Sequence, residues 1–210
     1  GHPDIVGLAV STRPDCIHES YLEVLREAQG KYGTNITVEL GLQSVNPHTL
    51  LKIGRCHTVA EFIDAALQIG RYHFDLCTHI IADLPWDDRI DLEEAAKLVS
   101  VLPVTEIKIH SLYIIKGTKL AKMYEKGDIK LLPPEEYAER VVLILSMLRP
   151  DIVVQRIVGR ASANTLSVNG GRPWWEVKEY IEKLMRNRHI QQGSACNYLY
   201  GAAVRRFLHE

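Results

Sequence analysis

The chain has 210 residues, of which 46% are hydrophobic and 24% are charged, and its formal net charge at pH 7 is −1. That length suits one domain with a buried core, and the composition is typical of a soluble globular protein. The near-neutral charge excludes a global field that attracts nucleic acid or a membrane surface. The sequence contains no apolar run near the roughly 20 residues that span a bilayer, and no secretory signal.

The cysteines are spread along the chain, at Cys16, Cys56, Cys77 and Cys196. None belongs to a C-x-x-C or C-x-x-x-C-x-x-C pattern, so the sequence predicts no zinc or iron–sulfur site within this chain. Scattered cysteines without a signal peptide favour free thiols in a reducing compartment, and we therefore expect a cytoplasmic protein.

Apolar runs that predict β-strands alternate with periodic segments that predict α-helices. The predicted strands are residues 5–10, 36–42, 76–82, 106–113 and 152–155, and the predicted helices are residues 18–29, 58–71, 92–102 and 135–148. Thr58 and Glu61 have the spacing of a capping box at the start of the second helix. This alternation predicts parallel βαβ units, and hence an α/β sheet or barrel.

The character of the sequence changes after residue 150. Residues 155–171 are rich in Ser, Asn and Gly and predict a loop, whereas residues 173–188 and 194–208 predict two closing helices. We therefore divide the chain into a unit of residues 1–150 and a C-terminal extension of residues 151–210.

Polar groups follow four of the predicted strands, at the end where parallel α/β folds bind ligands. These groups are Ser11-Thr12-Arg13, Gln43-Ser44, Asp83-Leu84-Pro85 and Ile115-Lys116. Taken singly, Gln43 is more typical of a turn, Arg55 of a helix end and His79 of a core. Their order along consecutive strands is what favours a ligand site.

Five segments in this order resemble the radical S-adenosylmethionine (SAM) proteins of the YtqA/YhcC type. They are STRPDC, ELGLQSVNPHTLLKIGRCH, CTHIIADLP, IKIHSLYIIKGTKLAKMYEKG and VVQRIVGR. This family is similar to the radical SAM domain of the Elongator catalytic subunit and to oxygen-independent coproporphyrinogen oxidase. The resemblance implies a partial (β/α)6 barrel of parallel strands with C-terminal helices, which binds SAM across the strand ends.

The resemblance also implies roles for individual residues. Gln43 matches a glutamine that binds the SAM ribose, and Arg55 matches an arginine that pairs with the SAM carboxylate, a role that suits a guanidinium fork. The other implied SAM contacts are Ser11 beside the methionine moiety, His79 at the ribose, and Ile81 and Ile115 at the adenine.

Two departures from the family pattern stand out. The family's C-x-x-x-C-x-x-C loop, which binds a [4Fe–4S] cluster, and its Gly-Gly-Glu turn are missing, so the barrel would start at its third strand, with the cluster ligands upstream. Such a chain would be inactive alone and would expose an unpaired strand edge. The second departure is Trp86-Asp87 in place of a glycine-containing turn, where Trp86 changes the loop packing or forms a stacking wall for a planar substrate.

The implied activity of the intact protein is reductive cleavage of SAM, followed by hydrogen abstraction from a small planar or nucleobase-like substrate. Queuine, cleaved at a C–N bond by a lyase with Asp83 or Asp87 as an acid, is the specific hypothesis. We expect an electron donor such as flavodoxin or ferredoxin. The candidate substrate contacts are Arg13, Trp86, His110, Tyr113 and Arg156.

Two alternatives stay open. A tRNA-modifying radical SAM enzyme is disfavoured because the chain lacks a clustered basic stripe with interleaved aromatic residues. The other is a cluster-less module that binds SAM or a nucleotide without catalysis.

Overall fold

The computed structural model describes residues 2, 4–160 and 164–202. Its strands are β1 (Gly7–Thr12), β2 (Asn35–Gln43), β3 (Asp75–Ile81), β4 (Glu106–His110), β5 (Ile114–Ile115), β6 (Val153–Arg156) and β7 (Thr165–Ser167). Five of them form a sheet in the order β1-β2-β3-β4-β6, in which every neighbouring pair is parallel. Strands β5 and β7 form a separate antiparallel pair.

Most helices connect successive strands, and α7 follows the last strand. Capping side chains mark the first residue of several of them. They are α1 (Glu19–Tyr32), α2 (Pro47–Lys52), α3 (Val59–Arg71), α4 (Arg89–Val101), α5 (Lys119–Glu125), α6 (Pro134–Met147) and α7 (Trp174–Asn187). Helix α3 begins at the predicted capping box, in which Thr58 and Glu61 satisfy each other's backbone N–H groups. Asp88 and Asp91 form a second capping box at the start of α4.

One face of the sheet packs against the helices and forms the core. Side chains alternate between the two faces of a strand, so Leu40, Leu76 and Ile107 all point to this side and are fully buried. Helices α3, α4, α6 and α7 contribute to the same cluster, for example through Phe62, Ala96, Val141 and Ile181. The opposite face of the sheet is therefore left to polar side chains.

The predicted α/β fold with parallel strands and C-terminal helices is confirmed, and the bounds of most elements agree within three residues. The predicted strand over residues 106–113 is too long. Strand β4 ends at His110, because the buried carboxylate of Asp83 accepts a hydrogen bond from the Leu112 backbone N–H at 2.6 Å and turns the chain. The division at residue 150 stays a prediction.

Two predictions in the C-terminal part are wrong in part. The loop over residues 155–171 contains β7 and the end of β6, and residues 161–163 lie outside the described residues. The helix over residues 194–208 is replaced by turns up to residue 201, and residues 203–208 are not described. Those turns are fixed to the end of α6, where Ala195 N–H donates to the Ser146 carbonyl at 2.7 Å and Tyr198 Oη donates to the Met147 carbonyl at 2.6 Å.

Strand β1 forms an edge of the sheet: within the described part of the chain it pairs only with β2. Apolar side chains lie at and before this edge, with Val6 80% and Leu8 46% exposed. Such an edge is a template for pairing with another strand. None of the helices within residues 4–160 and 164–202 has the length and apolar character needed to cross a bilayer.

Candidate functional site

The end of β2 brings Gln43 and Arg55 together over Gly41. The pairing of β2 with β3 is irregular between Gly41 and Gln43, and Gln43 has a left-handed backbone conformation with φ of 66°. Arg55 Nη2 donates to the Gly41 carbonyl at 3.1 Å. A Cβ at Gly41 would lie 2.3 Å from Gln43 Nε2 and 2.8 Å from Arg55 Nη2. The absence of a side chain at Gly41 therefore lets both polar groups converge.

The guanidinium of Arg55 is half-buried and keeps a free donor. Its Nε is buried and has no hydrogen-bond partner among the described residues. Burial, and then repulsion from Arg13, lower the pKa of Arg55 from its ordinary value, but an arginine in a protein stays charged. A half-buried cation with an unused donor is suited to a carboxylate ligand.

Gln43, Arg55 and Ile81 line one cavity of about 500 Å³. The rest of its wall is mainly apolar and includes Leu84, Leu112, Leu120 and Met123. A concave apolar site with a few convergent polar groups suits a ligand that combines a heterocycle with a charged end. Three of the residues that the resemblance assigns to SAM are thus brought together, and their chemistry fits that cofactor.

Replacement of Gly41 by alanine is expected to weaken SAM binding about 10-fold, because the new Cβ displaces Gln43 and Arg55 from the end of β2. Both contacts are to flexible side-chain ends, so the free energy of unfolding should fall by only about 1 kcal/mol or less. Calorimetric titration with SAM and urea unfolding measure the two effects. Equal SAM affinity in the two proteins would contradict this role of Gly41.

The second group of polar residues lies on the sheet face opposite the core, and we call it the polar face. Its centre is Glu39 on β2. Ser11 Oγ donates to Glu39 Oε2 at 3.0 Å, and Lys108 Nζ donates to Oε1 at 2.6 Å. His79 Nε2 lies 3.0 Å from Oε2. The polar face consists of Ser11, Glu39, His79, Lys108, His110 and Arg156.

The charges of the polar face are set by burial and by these contacts. Burial alone would raise the pKa of Glu39, but the hydrogen bonds from Lys108 and Ser11 outweigh it, so the pKa lies below its usual value and Glu39 is a carboxylate. Burial lowers the pKa of His79. Burial and the nearby His79 also lower the pKa of His110, to about 4. Both imidazoles are therefore neutral at pH 7.

Comparison with known proteins shows which proteins this chain is similar to. A family model described as the Radical_SAM C-terminal domain matches residues 104–187. YtqA of Bacillus subtilis is 36% identical over 194 residues, which cover 90% of this chain and 59% of YtqA. YhcC of Escherichia coli is 31% identical over 202 residues, which cover 91% of this chain and 62% of YhcC. The chain is a radical SAM homologue of the YtqA/YhcC type.

The resemblance found in the sequence of this radical SAM homologue is thus confirmed. The chain spans about three fifths of the length of the curated relatives named above. A solved structure of Elp3 from Methanocaldococcus infernus, with an N-terminal deletion, superposes with a TM-score of 0.73 at 22% identity. It covers 89% of this chain and 43% of the Elp3 chain, and it supports the fold.

The other predicted SAM contacts of the radical SAM homologue do not line the cavity that contains Gln43. Ser11 and His79 belong to the polar face, where both contact Glu39. Ile115 lies in β5 and pairs with Thr165 of β7.

The predicted substrate contacts are dispersed. His110 and Arg156 lie on the polar face, and the rings of His79 and His110 are 5.1 Å apart. Arg13 is exposed and paired with Asp15 at 2.6 Å. Trp86 is partly buried in a small apolar cluster, with the Lys52 ammonium 5.1 Å from the centre of its ring.

Tyr113 packs closely against Gly159, and the two candidate acids are buried. The Tyr113 hydroxyl is so close to Gly159 that a Cβ there would lie 2.0 Å from it. Asp83 and Asp87 are both buried. Burial raises the pKa of Asp87, and it raises the pKa of Asp83 to about 7. Each carboxyl is therefore easier to protonate than an exposed aspartate.

The sequence interpretation missed Glu39 and Lys108, which join the strands of the polar face. Glu39 alternates with Gly41 in β2, so both lie on the strand face over which the Gln43 side chain folds. A charged residue at such a position between apolar neighbours was the signal in the sequence.

Within the described ranges, no cluster of His, Cys, Asp and Glu side chains could hold a metal ion. All four cysteines are free thiols: Cys16 and Cys56 are exposed, Cys77 is buried and Cys196 is intermediate. Burial raises the pKa of Cys77 to about 12, so its thiol is not a ready thiolate ligand. The described residues therefore fit SAM but not an iron–sulfur cluster.

Proposed function

We propose that the whole protein is a radical SAM enzyme, and that this chain contributes its SAM-binding wall and part of its substrate site. The cavity formed by Gln43, Arg55 and Ile81 carries the proposal. In this cavity Arg55 would pair with the SAM carboxylate and Gln43 would hydrogen-bond the ribose. The apolar wall at Ile81 and Leu112 would pack against the adenine.

The electron for SAM cleavage must come from outside the described residues. We expect a [4Fe–4S] cluster on another part of the whole protein to supply it, from a cytoplasmic donor such as flavodoxin or ferredoxin. Cleavage of SAM would give methionine and a 5′-deoxyadenosyl radical, which takes a hydrogen atom from the substrate. The role of this chain is to orient SAM and to exclude water from the reacting groups.

The substrate proposed is a small planar molecule of the nucleobase type, with queuine as the specific candidate and C–N bond cleavage as the reaction. The support is chemical. The neutral imidazoles of His79 and His110 can donate and accept hydrogen bonds on the polar face, as the edge of a heterocycle requires. The side chain of Arg156 makes no hydrogen bond or ion pair with another described residue, and it presents a further donor near His79 and His110.

Anaerobic reconstitution of the whole protein with iron and sulfide, followed by dithionite and SAM, tests the activity. Formation of 5′-deoxyadenosine is the expected result, and its rate should rise when queuine is added. Mass spectrometry should then detect a 7-deazaguanine product. Binding of SAM without 5′-deoxyadenosine would instead assign the protein to non-catalytic SAM-binding modules. Cleavage of SAM with an unchanged queuine peak would remove queuine alone.

A further inference from the structure

Glu39 and His79 form a hydrogen-bonded pair, and the protonation state of Glu39 determines which of the two atoms carries the shared proton. Glu39 is a carboxylate that already accepts from Lys108 and Ser11, so it can only accept from His79. The proton between Glu39 Oε2 and His79 Nε2, 3.0 Å apart, therefore belongs to Nε2. A neutral imidazole carries one N–H, so Nδ1 of His79 bears a free lone pair.

This lone pair is available to a ligand. Nδ1 makes no hydrogen bond with any residue in the described part of the chain, and the His79 side chain is 21% exposed on the polar face. The carboxylate fixes both the tautomer and the orientation of the ring, as an orienting acid does for a catalytic histidine. Glu39 itself is held from two other strands by Ser11 on β1 and Lys108 on β4.

We propose that His79 is the general base of this enzyme and that Glu39 is its positioning residue. The inference rests on the proposed radical SAM function and specifies the substrate class. The substrate carries an O–H or ring N–H group at or beside the carbon that loses the hydrogen atom. A nucleobase with ring N–H groups belongs to this class.

The proton step balances without a further reactant. His79 Nδ1 takes the proton from the substrate O–H or N–H, and the electron pair of that bond stays on the substrate oxygen or nitrogen. The imidazolium that results is stabilised by the Glu39 carboxylate. It returns the proton to the product or to water, which restores the neutral ring.

The groups around His79 keep it in the basic form. They are Glu39 on β2, Lys108 and His110 on β4, and Arg156 on β6. Burial lowers the pKa of His79 most, Lys108 and Arg156 lower it further, and Glu39 opposes them. The free base should therefore persist to a lower pH than in an exposed histidine.

Nitrogen-15 NMR of the labelled whole protein, before cluster reconstitution, tests the tautomer directly. The signals of His79 are identified by their loss in the His79→Gln variant. We expect a protonated Nε2 and a bare Nδ1 at about pH 7 and at about pH 8. A protonated Nδ1, or a ring that titrates like an exposed histidine, would overturn the proposal. The Glu39→Gln variant should mix the two tautomers.

Kinetics of the reconstituted protein separate this role from SAM binding. His79→Gln should lower kcat with queuine about 100-fold, within the range of general acid–base catalysis, while the Kd of SAM changes less than about 2-fold. Loss of SAM affinity in parallel with kcat would assign His79 to the ribose and sink the proposal. The exposed His48→Gln variant is the matched control and should keep both constants. If queuine is no substrate, the NMR result still decides the tautomer.

Discussion

Replacement of Arg55 by methionine is expected to weaken SAM binding at least about 100-fold, since it removes one partner of a partly buried charge pair. Methionine retains most of the apolar stem but has no charge and no donor. The variant therefore loses the free Nε donor and the hydrogen bond to the Gly41 carbonyl together. Calorimetric titration with SAM measures the loss.

Two further variants define what Arg55 contributes. Arg55→Lys keeps the charge but not the fork, so its SAM affinity should lie between those of the wild type and Arg55→Met. Arg71→Met removes an exposed arginine at the end of α3 and serves as the matched control. An Arg55→Met protein that is folded and binds SAM like the Arg71→Met control would refute the assignment of the cavity.

The second large effect concerns Asp83 and the pH dependence of stability. Burial raises the pKa of Asp83 to about 7 in the folded protein, against its ordinary value of 3.8. The folded state then binds a proton that the unfolded state has released, so the contribution of Asp83 to the free energy of unfolding falls as the pH rises from about 4 to about 7. This shift corresponds to a loss of up to about 4 kcal/mol.

Asp83→Asn should remove this pH dependence, because the amide does not ionise and its oxygen can still accept from the Leu112 N–H. Urea unfolding at about pH 5 and about pH 8 should therefore show that the wild type loses stability relative to Asp83→Asn as the pH rises. The two proteins are compared because the lowered pKa values of His79 and His110 act in the opposite direction in both of them. The exposed Asp128→Asn substitution is the control and should retain the wild-type slope. A stability difference between the two proteins that stays constant as the pH rises, or that shifts in favour of the wild type, would contradict the sign of the prediction.

The strands, the main helices and the proximity of Gln43 to Arg55 could be predicted because their signals are local. Helix α3 has an apolar stripe and a capping box within a few residues of each other. Gln43 and Arg55 are recognisable because a strand, a turn and a helix of fixed length separate them in the family pattern. Such features can be recognised in a single sequence because they do not depend on contacts with distant parts of the chain.

The polar face could not be assembled from sequence, because its contacts join distant positions. Lys108 and Glu39 are 69 residues apart and meet only through the register of β2, β3 and β4. The pair formed by β5 and β7 was missed for the same reason. Its two short segments, Ile114–Ile115 and Thr165–Ser167, are strands because they hydrogen-bond to each other across a long sequence separation. Tertiary context decides such segments, not propensity.

The predictions of helices were wrong or incomplete where tertiary contacts outweighed an apolar pattern or where a helix was too short to show one. Residues 194–201 contain apolar side chains at suitable spacing, yet their backbone hydrogen-bonds to the end of α6. Helix α2, at Pro47–Lys52, was expected only through the helix-end position of Arg55 and without bounds, although Asn46 caps it and Pro47 begins it. At 6 residues it has too few apolar positions to show a period.

The carboxylate of Glu39 links three strands to its own, and this arrangement restricts how the protein can evolve. Loss of Lys108 alone leaves a negative charge on a largely buried carboxylate, and loss of Glu39 alone leaves an ammonium without its partner. Either single change is costly, whereas a simultaneous exchange for two neutral residues is not. Glu39 and Lys108 should therefore be kept or replaced as a pair among homologues, and lineages that acquire new substrates should vary the loops at the strand ends first.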